Sequence, residues 1–412
     1  MKRQISTLKA LIPFIITFNS SISLALDKEV KMGALIEADG LYYKSNGDET
    51  QRRFTQNNKN LGFYSTGNFY VDYKLVDENG LKYGTKISVQ QTTRNDRGVP
   101  FVLYTETGYG KLELGSDKTA GSKMMVTGFS VACATGNGWD AFIVTSPITG
   151  KEAKVAYVTN FTSFLDAKTR TSMLSDYSRK ITYFTPKIGS KNHNFQLGVS
   201  YSPDSTNAGH TGNSTNSDIN DPNNLFAIYS AYPYKFAIKD GISYGAVYEG
   251  KHSDLLSTKL SLVGESGKPV AFNKSDNSKS NVKFKNLNTY NVGLQISYDK
   301  FAIAGSYMNY NNSLSNSSVD NFGSQTSIYS IGSRYKFCDD KYAASINYFF
   351  SNHKNNKLDA VSIGIDYVLT KGIKAYIQET IYKANGKYVD NGVIKKDKNK
   401  GSLFILGAKI SI

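Results

Sequence analysis

The strongest constraint on this chain is a side-chain alternation of period two. In "HNFQLGVSYSPD" Phe195, Leu197, Val199 and Tyr201 fall on one side of an extended strand, while Gln196, Gly198 and Ser200 fall on the other. "DAVSIGIDYVL" repeats the pattern, with Val361, Ile363, Ile365, Tyr367 and Leu369 against Ser362, Gly364 and Asp366. So does "TYNVGLQISYD", where Tyr290, Val292, Leu294, Ile296 and Tyr298 oppose Asn291, Gly293, Gln295 and Ser297. One face is greasy and the other wet. No run of eighteen or more apolar residues occurs anywhere, so the sequence offers no helix fit to span a bilayer. A closed β-barrel spans one differently, pairing every backbone group between strands and presenting one apolar face to lipid.

Alternating runs recur near 30–44, 61–76, 81–91, 100–107, 110–116, 178–187, 193–203, 225–238, 241–250, 286–298, 300–310, 326–337, 340–352, 358–369, 372–383 and 401–412. These are sixteen, an even number. Tight connections at 77–80, 239–240, 299, 338–339 and 370–371 alternate with long ones at 45–60, 117–177, 204–224, 251–285 and 384–400. Short turns at one end and long loops at the other are what an outer-membrane barrel needs. The expected fold is therefore all-β, a transmembrane antiparallel β-barrel of sixteen strands. Tyrosines at strand ends fit the aromatic girdles of the two membrane interfaces.

The first residues set the compartment. Lys2, Arg3 and Lys9 precede an apolar stretch from Leu11 to Phe18, and Ser23-Leu24-Ala25 supplies the small residues of a signal-peptidase site. Residues 1–25 are expected to be removed and 26–412 to form the barrel. The formal charge of +15 then falls to +12 with the loss of those three cations. A basic balance favours anionic partners.

Chemistry that converts a substrate finds no footing. His193, His210, His252 and His353 all fall in expected turns or loops with no nucleophile or acid at a recognisable spacing. Cys133 and Cys338 are far apart in sequence and make neither a zinc spacing nor a disulfide framework. "GYGKLELGSD" lacks the spacing of a phosphate-binding loop, and no oxygen-ligand loop for calcium surrounds Asp218 and Asp221. No enzyme, cofactor, metal or nucleic acid is expected. "KKDKNK" at 395–400 is the densest basic run and reads as a solvated loop, with lipopolysaccharide phosphates as its alternative contact.

Three segments carry a family resemblance: "ITYFTPK" with "FQLGVSYSPD", "FVLYTETGYGKLELGSD", and "DAVSIGIDYVLTKGIKAYIQETIY" with "GSLFILGAKISI". In their order they resemble the general diffusion porins of Gram-negative bacteria, in particular the alphaproteobacterial type. The family usually ends in an aromatic residue, whereas this chain ends in Ile412. The resemblance implies a homotrimer in the outer membrane, in contact with its lipid and lipopolysaccharide. It also implies a third external loop, here 117–177, folded into the lumen as a constriction. "SFLDAKTRTSMLSDYS" within that loop has the composition of a short helix.

The implied function is passive diffusion of small hydrophilic solutes and ions. The competing function is a plugged barrel acting as an adhesin or structural envelope protein. For the narrow part, Asp117 and Asp140 of the loop are expected to face basic residues of the wall. Lys82 and Lys86 alternate with Tyr83, Thr85, Ile87 and Val89, Arg334 and Lys336 with Tyr329, Ile331, Tyr335 and Phe337, and Lys374 lies between Ile373 and Ala375. A charge facing lipid at mid-membrane costs about 2–4 kcal/mol, which favours an inward direction for all five, the alternative being that some of the lysines sit at strand ends and reach the interface. Together with the +12 balance, this wall implies a weak anion preference.

Overall fold

A computed structural model describes residues 27–45, 61–92, 100–141, 148–149, 152–153, 157–158, 163, 165–166, 178–205, 234–273, 278–316, 325–390 and 393–412. Sixteen staves form one antiparallel sheet: β1 (Asp27–Ser45), β2 (Leu61–Val76), β3 (Lys82–Thr92), β4 (Phe101–Thr107), β5 (Gly110–Ser116), β6 (Arg179–Phe184), β7 (His193–Asp204) and β8 (Tyr234–Lys251), then β9 (Leu256–Asn273), β10 (Leu287–Tyr298), β11 (Phe301–Asn311), β12 (Thr326–Phe337), β13 (Tyr342–His353), β14 (Asn356–Thr370), β15 (Ile373–Asp390) and β16 (Val393–Ser411). Beyond Thr185-Pro186-Lys187, β6 resumes at Ile188–Gly189, the gap falling where proline has no N–H for the ladder. β1 pairs with β2 on one side and with β16 on the other, from Leu35↔Ser411 to Ser45↔Gly401, and this closes the barrel. Ile412 helps seal the seam, its N–H donating to the Ala34 carbonyl and its carbonyl accepting from Ala34 N–H.

The strand count agrees with the sequence reading, but two errors cancel within it. Lys239-Asp240, expected as a hairpin turn, is a bulge inside β8, where the register shifts between Lys239 and Ile242 and Asp240 has φ of 49°. The expected long loop at 251–285 contains β9. Its outward alternation lasts only through Leu260 and Leu262 before Gly264 and Pro269 interrupt it. The expected loop at 384–400 is also strand, the upper ends of β15 and β16. "KKDKNK" accordingly lies on β16 rather than in a loop. Strand that rises above the hydrocarbon has no reason to stay apolar, so its pattern disappears.

Exposed apolar side chains such as Leu197, Ile331, Ile363 and Leu406 form the outer face. Two aromatic belts bound it. Tyr290, Tyr307, Tyr329 and Phe350 touch in series across β10–β13, with ring centroids 6.0, 4.8 and 5.9 Å apart. Phe337, Tyr342 and Tyr367 do the same near the short turns, at 5.4 and 4.8 Å. On β12 the belts are marked by Tyr329 and Tyr335, six residues or roughly 20 Å along the strand, close to the height of a lipid-facing band.

Candidate functional site: the loop track and the charged wall

Within the barrel, the segment after β5 travels along the inner wall. It opens with α1 (Ala120–Met124), capped by the Thr119 side chain, and continues through single 3-10 turns at Gly128–Val131 and Gly138–Ala141. Its backbone N–H groups are taken up by one stave after another. Ala120 donates to Ser200 of β7 (2.7 Å), Gly121 to Ser243 of β8 (3.1 Å) and Val126 to Ser261 of β9 (3.0 Å). Asn291 of β10 donates to the Val126 carbonyl (3.2 Å), and Val131 packs on Ala302 and Ala304 of β11. Then Gly128 donates to Ser330 of β12 (2.8 Å), Cys133 to Ser345 of β13 (2.9 Å), Ala134 to Asp366 of β14 (2.6 Å) and Thr135 to Gln378 of β15 (3.2 Å).

A buried N–H without an acceptor is costly, and here the acceptors are polar side chains on the wet face of the sheet, most of them serines. Wall glycines let the two backbones meet. A Cβ on Gly293 would lie 2.1 Å from the Val126 carbonyl oxygen, and one on Gly332 would lie 2.3 Å from that of Gly128.

The described parts of the return leg lie nearer the long loops. Tyr157 donates to Asp397 of β16 (2.9 Å), Ser351 of β13 donates to the Val158 carbonyl (2.6 Å), and Ser163 donates to Glu265 of β9. On β13 the two legs meet the wall at Ser345 and Ser351, roughly 20 Å apart along the strand. They converge at β6, where Asp166 accepts from Thr119 N–H (2.8 Å) and pairs with Lys180 (3.4 Å). Trp139, Tyr157, Val158 and Leu165 join Ile328, Phe349, Leu358 and Leu403 of the wall in one buried cluster. Of the segment expected as a helix, Leu165–Asp166 form a turn; most of the remainder lies outside the described residues.

The staves from β16 through β1 to β5 present a different inner face. Glu29 pairs with Lys31 (2.8 Å) and Lys74 (2.6 Å), and Glu37 with Lys409 (3.3 Å). Tyr104 donates to Asp72 (2.8 Å), with the Lys111 ammonium 4.7 Å from its ring centre. Glu113, nearly fully buried, takes both Lys111 (2.9 Å) and Lys123 of α1, and Lys123 also reaches Asp117 (2.9 Å). Burial acts to raise the Asp117 carboxyl, but Lys123, the Lys118 N–H and Lys86 outweigh it and hold the group below its usual range. Burial likewise acts to lower Lys123, and its two carboxylates outweigh it in the upward direction.

Of the basic residues singled out from sequence, all five lie on the face opposite the exposed apolar side chains. Lys86 is in register with Asp72, 5.5 Å from the centre of the Tyr70 ring, and contributes to the field at Asp117. Lys374 is 3.8 Å from Asp366, and Arg334 and Lys374 both act on Cys133. Burial, reinforced by Asp366, prevails there and raises the thiol. Lys82 and Lys336 sit nearer the short turns, paired with Glu106 (3.0 Å) and Asp340 (3.1 Å). Asp140 is in the second 3-10 turn, half-buried. The residues therefore form two groups, Lys86 with Asp117, and Arg334 with Lys374, rather than one ring.

Sequence reasoning passed over the serine and glycine track and over Glu113. The signal for Glu113 was present in "KLEL", where Lys111 and Glu113 alternate with outward Leu112 and Leu114. Cys133 is buried under the loop and Cys338 exposed in the β12–β13 turn, and both are free thiols.

Comparison with known proteins agrees with this architecture. A protein of Rickettsia bellii is 27% identical over 93% of both chains, and one of Rickettsia conorii is 28% identical over 91% of this chain and 92% of the relative. The anion-selective porin from Comamonas acidovorans superposes with a TM-score of 0.53 at 12% identity, covering 94% of this chain and all of that one. A variant of the Rh. blastica porin gives 0.51 at 11%, covering 93% of this chain and all of its own. These two likenesses concern the fold. The Gram-negative porin family model matches residues 11–387, and the chain belongs to that family.

Proposed function

We propose that the barrel is a passive outer-membrane channel for small hydrophilic solutes and ions, narrowed by the 117–177 loop. The supporting observation is how the loop is held. Its outbound backbone is spread along the wall from β7 to β15, leaving the charged β1–β5 side to border the water path. Asp117, Asp140 and Lys86 border that path with Lys82 nearer its short-turn mouth, while Arg334, Lys336 and Lys374, proposed as further pore-lining groups, stand on the β12–β15 side that the loop runs along.

In this reading residues 1–25 are a cleaved leader, residues 26–412 form the channel, and three copies assemble in the outer membrane. Selectivity is weakly anionic. The mature balance of +12 supports the sign, and carboxylate partners of Lys82, Lys111, Lys374 and Lys409 support the small size. The zero-current potential under a salt gradient tests it: a small potential of anionic sign is expected, and a clear cation preference would overturn the selectivity.

A further inference from the structure

At the short-turn end of the barrel, two histidines far apart in sequence come together on the outer face. His193 opens β7, and His252 lies just past the end of β8, in the turn to β9. Register sets His193 directly across from Gly250 of β8, and Gly250 directly across from Thr258 of β9. Strand parity puts these three, with Tyr248, on the side of Phe195, Tyr244 and Leu260. The cluster is exposed and has no part in lining the lumen.

The two imidazole rings meet at 61° with their centres 5.2 Å apart. Each has one nitrogen held by a hydroxyl: His193 Nδ1 is 2.8 Å from the Tyr248 oxygen, and His252 Nε2 is 2.8 Å from that of Thr258. Among the described residues, nothing hydrogen-bonds to His193 Nε2 or His252 Nδ1. When each bonded nitrogen donates to its hydroxyl, the other nitrogen carries the lone pair that a metal takes. Two imidazoles on one tetrahedral zinc ion, with Zn–N of about 2.0–2.1 Å, have their centres roughly 5 Å apart, and the observed spacing agrees. Gly250 keeps the ground between the rings open, since a Cβ there would come 2.7 Å from the Tyr248 oxygen and 3.1 Å from His252 Nε2. The neighbouring cations Lys251 and Lys259 are engaged by Asp254 (2.7 Å) and Glu249 (3.1 Å).

We propose that His193 and His252 chelate one divalent transition-metal ion of the zinc and copper class, through Nε2 of the first and Nδ1 of the second. Tyr248 and Thr258 are the outer partners that fix the tautomer and orientation of each ring. Imidazole nitrogen selects such ions over calcium and magnesium, which take oxygen ligands. Among the described residues, no third histidine, cysteine or carboxylate completes the set. The remaining coordination positions go to water, so the ion is held reversibly. The site stands outside the barrel and is independent of whether the lumen conducts.

The test titrates untagged, detergent-purified full-length protein with zinc chloride by calorimetry, with calcium chloride as the contrast. One zinc ion per chain is expected, without comparable calcium binding. His193→Gln and His252→Gln should each weaken zinc by about 100-fold, and Tyr248→Phe, which removes only the outer hydroxyl, by about tenfold. His210→Gln should leave the affinity unchanged. Spin resonance of the copper(II)-loaded wild type, which depends on no variant folding, should show two imidazole nitrogens on the ion. Absent zinc binding, equal calcium binding, unaltered affinity in folded histidine variants, or fewer than two nitrogens in the spectrum overturns the proposal. One ion per two chains would make the histidines a bridge between copies, and that result overturns it as well.

Discussion

The inner wall from β7 to β15 and the inner wall from β1 to β5 obey the same alternation but use it oppositely. On the first, most inward positions that meet the outbound loop are short: Ser200, Ser243, Ser261, Gly293, Ser330, Gly332 and Ser345 receive or accommodate its backbone. On the second they are long and charged, as with Glu29, Asp72, Lys74, Lys86, Lys111 and Glu113. Side-chain length distinguishes the two. A short hydroxyl brings its oxygen within reach of a backbone N–H, whereas a long ion pair holds a backbone away and tolerates water.

The largest expected effect comes from adding bulk to the first wall. Gly293→Val with Gly332→Val places atoms where loop carbonyls now lie, and overpacking of this kind costs about 1–3 kcal/mol per site. The loop should leave the track, seen as new protease cleavage between 118 and 141 and altered conductance. Gly33→Ala on the second wall meets the outer end of the Tyr70 ring, a side chain that can shift, and should leave cleavage unchanged. Equal behaviour of the two walls would erase the distinction.

Removing single acceptors is gentler. Ser330→Ala leaves the Gly128 N–H buried without its partner, a loss of about 1–3 kcal/mol, and should speed hydrogen exchange at that amide by about five- to 150-fold. Ser345→Ala should do the same at Cys133. Protection unchanged in both would mean that water replaces the serines and that they do not hold the loop.

Charge on the second wall is expected to set selectivity, more modestly. Lys86→Glu should shift the zero-current potential toward cations, by about twofold in permeability ratio, because a solvent-screened charge is worth about 0.5 kcal/mol. Ser330→Ala should not shift it. A reversed order of effects would assign the water path to the wrong wall.

The smallest effect is with pH. The depressed Asp117 carboxyl stabilises the loop above the ordinary value of 3.8, and that stability is lost as pH falls through its lower folded value. The raised Lys123 contributes fully below the ordinary value of 10.5 and loses its contribution as pH rises through its higher folded value. Amide protection near Thr119 should therefore be flat through neutrality and decline below pH 3.8. A midpoint near pH 7 would contradict this pairing.

The membrane-embedded fold was legible because lipid enforces the greasy face: Leu197, Ile331 and Ile363 signal it repeatedly. Where strands leave the hydrocarbon the enforcement stops, and β9 beyond Leu262 and the lysine-rich ends of β15 and β16 read as loops. The inward lysines were legible from parity, while their partners were not, since Glu113 and Lys123 meet only through the course of the loop. The serine track was visible letter by letter as the wet face. Its meaning depended on knowing that a backbone lies against it.

Planar-bilayer recording tests the central claim most directly. Wild-type protein should give stepwise, ohmic conductance. Lys86→Trp, adding bulk to the charged wall, should reduce it, while Ser200→Thr under the loop should leave it near the wild-type level. A barrel that inserts and folds but passes no current would show instead that the loop fills the lumen.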